Sequence, residues 1–140
     1  MKDIKAPPSL KKEVCMSQNV NRPSKGTFEA SLNGEKFLTS TLVKFHETNN
    51  GDIIQGYDNK NSFIVFFIGL LVGGPHEVMY DPNSPVAWTV QIDNEIYAID
   101  SGHVIVTIDQ DHESVKGTVY LVLQDDKGTV AGDFDITNLV

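Results

Sequence analysis

The feature that most constrains this sequence is an alternation of apolar and polar residues, which begins near Gly26 and is broken only by turn signals. Nowhere in this part of the chain do apolar residues recur every three or four positions over ten residues, as an amphipathic helix requires. An alternation of period two places every second side chain on one face of a strand. It predicts an all-β domain over residues 26–140, an antiparallel β-sandwich or barrel of nine to ten short strands.

Turn signals divide the alternating segments into hairpins. The strongest is Asn33-Gly34, because this pair favours a two-residue turn. On its far side we expect one strand whose apolar or threonine side chains share a face: Phe37, Thr39, Thr41, Val43 and Phe45. A last hairpin is predicted at Asp125–Gly128. The run Phe63–Ile68 is apolar on both faces, which is typical of a central strand.

Residues 1–25 differ in charge and composition from the rest of the chain. They contain six basic and two acidic residues and three of the six prolines, whereas residues 26–140 contain five basic and seventeen acidic residues. We therefore predict a flexible basic N-terminal arm on an all-β domain of formal charge -12. The arm is interpreted either as a solvated leader or as a tail that contacts the acidic domain or an anionic partner.

Size and charge limit the class of protein. A chain of 140 residues is long enough for one domain with its own core. Its formal charge of -8 argues against nucleic acid as the main partner, because phosphate binding depends on Lys and Arg. The single Cys15 excludes an internal disulfide and a cysteine-based zinc site. No apolar run reaches the twenty or so residues of a transmembrane segment.

Localisation is left open by the sequence. The first residues lack the apolar stretch of a secretory signal, so we expect none in this chain. A processed form would be periplasmic or secreted, and an unprocessed one cytoplasmic. Oligomeric state is equally open.

One segment, residues 69–85, fits neither a strand nor a short turn and is predicted to be irregular. It combines Gly73-Gly74-Pro75 with a second proline-rich turn, and its apolar residues are predicted to remain partly exposed. Long irregular connections in compact domains are commonly functional. We predict that a basic protein partner binds here, attracted by the acidic surface. The predicted partner-binding residues are His76, Glu77, Met79, Tyr80 and Asp81, with Tyr80 as the anchor.

Chemistry-bearing residues give no complete catalytic or metal-binding pattern. The four histidines, His46, His76, His103 and His112, show no ligand spacing. The loop Asp109–Glu113 places oxygens at alternate positions, as a calcium loop begins, but the rest of that loop is missing. A weak calcium site with Asp109 and Asp111, and with Asp125 or Asp126 as a further ligand, is one interpretation, and a solvated turn is the other. No nucleophile elbow or phosphate-binding loop occurs, so we expect no enzyme and no cofactor.

The one tryptophan, Trp88, alternates with Val90 and Ile92 and is interpreted as a core residue. An alternative is an aromatic wall of Tyr80, Trp88 and Tyr97 that lines a ligand pocket. The second function hypothesis follows from it: a carrier of a small apolar ligand, with a pocket inside the sandwich or barrel.

Several turn and core segments together resemble a group of small bacterial all-β domains of unknown function, many of them secreted or lipid-anchored. The resemblance covers residues 26–136 and rests on these segments: Gly26-Thr27-Phe28, Leu32-Asn33-Gly34, Ser101-Gly102 before Val104, Val115–Val119 and Val130–Phe134. It implies a β-sandwich and no catalytic residue. The chain departs from the group in lacking a signal and a lipid-attachment site.

Overall fold

The computed structural model describes residues 23–138, which form two antiparallel sheets and no helix. In chain order the strands of this part are β1 (Ser24–Leu32), β2 (Glu35–Ser40), β3 (Leu42–Thr48), β4 (Gly51–Tyr57), β5 (Phe63–Ile68), β6 (Gly73–Met79), β7 (Thr89–Ile92), β8 (Glu95–Tyr97), β9 (Ile99–Ile108), β10 (Ser114–Leu123) and β11 (Thr129–Asn138). One sheet has the order β2-β1-β11-β10-β9-β6, and the other has the order β3-β4-β5-β7-β8. The predicted all-β sandwich is confirmed; the domain is not a closed barrel, and the described residues contain eleven strands rather than nine to ten. They include no helix able to cross a membrane.

Most of the predicted N-terminal arm, residues 1–22, lies outside the described residues. The first strand begins at Ser24, two residues before the predicted domain boundary at Gly26. Ser24 and Lys25 pair with Asn138 and Thr137 of β11. The ladder therefore extends further than the apolar alternation that suggested the boundary.

The predicted hairpin turns are present because their local chemistry suits them. Asn33 and Gly34 have φ values of 52° and 84°, and the turn joins β1 to β2. Both values are the positive φ of a tight hairpin turn, which Asn and Gly adopt most readily. Asp125 and Asp126, with φ values of 60° and 56°, form the predicted turn between β10 and β11.

The strand predicted from Phe37 to Phe45 is wrong as a single element. It consists of β2 and β3, which belong to different sheets and are joined by Thr41 alone. Leu38 is buried in β2, whereas Val43 and Phe45 are buried in β3, so the inward face changes from even to odd positions. The change arises because the chain crosses from one layer to the other, and each sheet presents its opposite face to the shared core.

The core lies between the two sheets and is centred on aromatic rings. Phe28 and Phe134 of one sheet stack with their centroids 5.4 Å apart, and Phe66 of the other contacts Phe134 at 5.5 Å. Gly56 of β4 faces Phe28 so closely that an added Cβ would lie 2.5 Å from its side chain. A side chain larger than hydrogen at position 56 would therefore separate the layers at this point.

The strand β5 is the middle strand of the five-stranded sheet, as its two-sided apolar pattern predicted. Trp88, which precedes β7, is buried and contacts Phe66 at 5.6 Å between centroids, so it belongs to the core. Its indole Nε1 is buried without a hydrogen-bond partner among the described residues.

Candidate functional site

The segment predicted to be irregular, residues 69–85, contains a regular strand. Residues Gly73–Met79 form β6, which pairs antiparallel with β9 at the edge of the six-stranded sheet. The prediction failed because Pro75 and two glycines read as strand breakers. At an edge strand, however, a proline is tolerated, since one side of the strand needs no hydrogen-bond donor. Only the flanks of the segment are irregular.

The two faces of β6 separate the predicted partner-binding residues. His76 and Val78 lie on the inner face, opposite the buried Val106 and Val104 of β9. Tyr80 follows on the same side, and its ring contacts the indole of Trp88 with a centroid distance of 5.5 Å. The Tyr80 ring is thus packed against the core, a position that suits a structural role better than the predicted anchor role.

The outer face of β6 is exposed and continues onto its neighbours. Met79 is 60% exposed and lies opposite His103, which in turn pairs with Tyr120 of β10. Glu77 lies opposite Ile105, and its carboxylate is 3.9 Å from Nδ1 of His103. These five side chains form what we call the edge patch. The sequence prediction included Glu77 and Met79 but not the other three.

One hydrogen bond shows in which direction the backbone N–H and C=O groups of β6 point. The amide of Tyr80 donates to the carbonyl oxygen of Gly102 in β9 at 2.9 Å. Because hydrogen-bonded pairs alternate along an antiparallel ladder, the backbone groups of Glu77 and Met79 point away from β9. No strand of the described residues pairs with β6 on that side. The edge therefore offers N–H and C=O groups to an added strand.

Asp81, the last of the predicted residues, lies beyond the strand in an exposed turn. Its carboxylate accepts a hydrogen bond from the amide of Asn83 at 2.8 Å, and its carbonyl accepts one from the amide of Ser84 at 3.2 Å. These bonds stabilise the turn that follows β6. Asp81 is near β6 in the chain but is not part of the edge patch.

A second group of polar side chains lies at the hairpin between β3 and β4. Glu47 and Asp52 are directly opposite each other across this hairpin. Asp52 is completely buried, and neither of its carboxylate oxygens has a hydrogen-bond partner among the described residues. Two carboxylates in this position repel each other unless a cation or a proton is present.

The third member of this group comes from the other sheet. His112, in the turn between β9 and β10, places Nε2 at 3.6 Å from Oδ2 of Asp52. Ligand atoms of Glu47, Asp52 and His112 all lie within 4.8 Å of one another. We call these three residues the carboxylate–histidine cluster. Sequence spacing gave no metal-binding pattern for the histidines, but the fold supplies two carboxylates that the spacing could not indicate.

The turn that carries His112 is held by Asp109. Oδ1 of Asp109 accepts hydrogen bonds from the amides of Glu113 and Ser114, at 2.6 and 3.0 Å. His112 itself has a φ of 55°, a left-handed conformation that turns the chain. Asp109 was predicted as part of a weak calcium site or of a solvated turn. The hydrogen bonds of its carboxylate stabilise the turn and present His112 to Asp52.

Burial dominates the electrostatics of the cluster. It raises the pKa of Asp52 to about 6, because a carboxylate loses hydration inside the protein. The nearby His112 acts in the opposite direction, and the negative charge of Glu47 raises the pKa further. Asp52 is therefore a buried acid whose charged form needs a positive neighbour.

Part of this cluster was accessible to sequence reasoning. The turn signal Asn49-Asn50-Gly51 sets Glu47 opposite Asp52 once the hairpin is recognised. The approach of His112 was not accessible, because 60 residues separate it from Asp52 and only the packing of the two sheets brings them together.

Comparisons of the chain with protein-family models, with curated proteins and with solved structures found no match.

Proposed function

We propose that this domain is a non-enzymatic protein-recognition module that binds an extended, basic segment of a partner along β6. The observation that carries the proposal is the outer edge of β6, where the backbone groups of Glu77 and Met79 have no neighbouring strand in the described residues. An extended peptide can add to such an edge as a further strand, with its main chain supplying affinity.

Exposed side chains beside this edge can contact every second side chain of an added strand. A strand added to β6 would run past the exposed Met79, whose thioether adapts to different apolar surfaces. The edge patch also exposes Ile105 and Tyr120, at 39% and 43%. Aromatic residues and methionine are enriched in protein interfaces, and a mixed patch of this kind supports specificity in addition to backbone pairing.

Charge favours a basic partner. Residues 61–115, which include β6 to β9, contain eight acidic residues and neither lysine nor arginine. Glu77 stands in the edge itself with its side chain 59% exposed. Opposite charge accelerates association and disfavours acidic competitors. We therefore propose a partner segment in which lysine or arginine alternates with apolar residues.

The experiment compares two substitutions at the same residue. Glu77→Pro removes the outward N–H and the charge, whereas Glu77→Gln removes the charge and keeps the N–H. Because the N–H of Glu77 points away from β9, the proline leaves the hydrogen bonds to β9 intact. The probe is a synthetic peptide of alternating lysine and valine, titrated into each isotope-labelled variant and followed by the amide resonances of β6 and β9.

We expect Glu77→Pro to bind the peptide at least tenfold more weakly than Glu77→Gln, which corresponds to about 1.4 kcal/mol. An alternating glutamate and valine peptide serves as the charge control and should not bind. Equal binding by the two variants would show that the edge is not the contact. Loss of binding on charge reversal at Asp109, Asp111 and Glu113 instead would place the contact at the acidic turn.

A further inference from the structure

The carboxylate–histidine cluster contains a buried charge whose partners are incomplete. Asp52 is 0% exposed, and both of its oxygens lack hydrogen bonds within the described residues. Burial of an ionised carboxylate is unfavourable unless it is paired or coordinates a metal ion. His112 is a cationic candidate for this charge, but its Nε2 lies 3.6 Å from Oδ2 of Asp52, which is too long for a hydrogen bond. Nε2 of His112 likewise lacks a hydrogen-bond partner there.

The separation of these atoms matches that of two ligands of one ion. Zinc binds imidazole nitrogen and carboxylate oxygen at about 2.1 Å, so two tetrahedral ligands lie roughly 3.4 Å apart. The 3.6 Å between Asp52 Oδ2 and His112 Nε2 is close to this value. A ligand atom of Glu47 lies within 4.8 Å of both, so a small movement of its partly exposed side chain would complete three positions.

The donor set selects a class of ion. Calcium prefers six to eight oxygen ligands and magnesium an octahedron of oxygens, whereas imidazole suits zinc and other first-row transition metals. One imidazole with two carboxylates leaves a fourth tetrahedral position. Glu47 and His112 are only partly buried, so the cluster lies near the surface, and we assign the fourth position to solvent.

We propose that Glu47, Asp52 and His112 form a binding site for a divalent zinc-type ion, with solvent as the fourth ligand. The site joins the β3–β4 hairpin of one sheet to the β9–β10 turn of the other. An ion bound there would link the two layers at one end of the sandwich. The proposal is independent of partner binding at β6, since no residue is shared between the two.

Zinc binding to the full chain tests the site. The protein is stripped with a chelator, and zinc chloride is titrated calorimetrically at neutral pH. We expect one zinc ion per chain, and at least tenfold weaker binding for Asp52→Asn and for His112→Gln. His103→Gln serves as the matched control, because His103 also lies near a carboxylate but at the exposed edge patch, and it should bind zinc as the unmodified protein does.

A third variant and a second metal ion test the site further. Glu47→Gln changes a partly exposed residue of the hairpin, so it tests the site independently of any change at the buried Asp52. Cobalt substitution should give the intense visible absorption of a four-coordinate ion. Zinc binding weaker than about 1 mM overturns the proposal, as does zinc binding that all three cluster variants leave unchanged. Calcium binding tighter than zinc overturns the proposed class of ion.

Discussion

The side-chain amide of Asn138 donates a hydrogen bond to the carbonyl oxygen of Phe45 across 2.9 Å, joining the last strand of one sheet to the edge strand of the other. The carbonyl oxygen of the same amide accepts a hydrogen bond from the hydroxyl of Ser24 at 2.6 Å. Ser24 also accepts a hydrogen bond from the amide of Phe45 at 3.4 Å. The edge of β3 is thus covered by two side chains of the opposite sheet.

This arrangement predicts a loss of stability for Asn138→Ala. The substitution leaves the buried carbonyl of Phe45 without its donor, so we expect the free energy of unfolding to fall by about 1–3 kcal/mol. Ser24→Ala keeps this buried bond and removes two hydrogen bonds that are only partly buried, so it should cost less, about 1 kcal/mol. Urea denaturation of the two variants and the unmodified chain measures both. An equal loss for the two would contradict the role given to Asn138.

Gly56 is predicted to be intolerant of any side chain. Gly56→Ala places a methyl group 2.5 Å from Phe28 at the centre of the core, and we expect it to cost at least ~2 kcal/mol of stability. Gly69→Ala is the control, because no atom beyond its chain neighbours lies within 4 Å of its added Cβ. That variant should remain within about 0.5 kcal/mol of the unmodified protein. Similar thermal midpoints for the two variants would show that the layers can separate at Gly56.

Met79 and Tyr80 are adjacent in the chain, but only Tyr80 should contribute to stability. Tyr80→Ala removes a ring packed on Trp88 and should lower the unfolding free energy by about 2 kcal/mol. Met79→Ala removes an exposed side chain and should change it by less than about 0.5 kcal/mol. Denaturation followed by Trp88 fluorescence distinguishes them. Destabilisation by Met79→Ala alone would mean that Met79 is buried in solution.

Asp52 is predicted to make stability depend on pH when metal is removed by a chelator. Its pKa is raised from 3.8 in the unfolded chain to about 6 in the folded protein, so the folded state binds this proton more tightly. The stability that the protonated form of Asp52 contributes is therefore fully present below about pH 4 and is lost as the pH rises through about 6. A shift of this size corresponds to at most ~3 kcal/mol.

Two substitutions separate the contribution of Asp52 to stability from those of the other acidic residues. Relative to the unmodified protein, Asp52→Asn should gain stability between about pH 4 and 7, because the asparagine never carries the buried charge. Asp111→Asn makes the same change of charge at an exposed residue, and its pH dependence is subtracted from that of Asp52→Asn. A difference that is flat over this range, or that has the opposite slope, contradicts a raised pKa at Asp52.

Local chemistry explains which elements of the fold were predictable from the sequence. Asn33-Gly34 and Asp125–Gly128 form their predicted turns because residues that tolerate positive φ occur where the chain must reverse. The crossing at Thr41 was not predictable, because alternation continues through it without a turn residue. Pro75 gave the wrong interpretation of β6, because proline marks a breaker or an edge strand and only the sheet order decides between them.

The candidate sites depend more strongly on tertiary structure. Glu77 and Met79 were predicted as contact residues, but Ile105 and Tyr120 join them only through the register of β9 and β10. The pairing of Asp52 with His112 requires the two sheets to be stacked, and single-sequence patterns contain no information on that stacking. The inward direction of Tyr80 likewise follows from the position of Trp88.

The crossing at Thr41 has a consequence for how the domain unfolds. Among the described residues the chain changes sheet four times, between β2 and β3, on either side of β6, and between β8 and β9. Neither layer is therefore built from one continuous piece of chain, and neither can detach while the other persists. The slowest-exchanging amides of β1 and β4 should report the same global opening, in one cooperative transition.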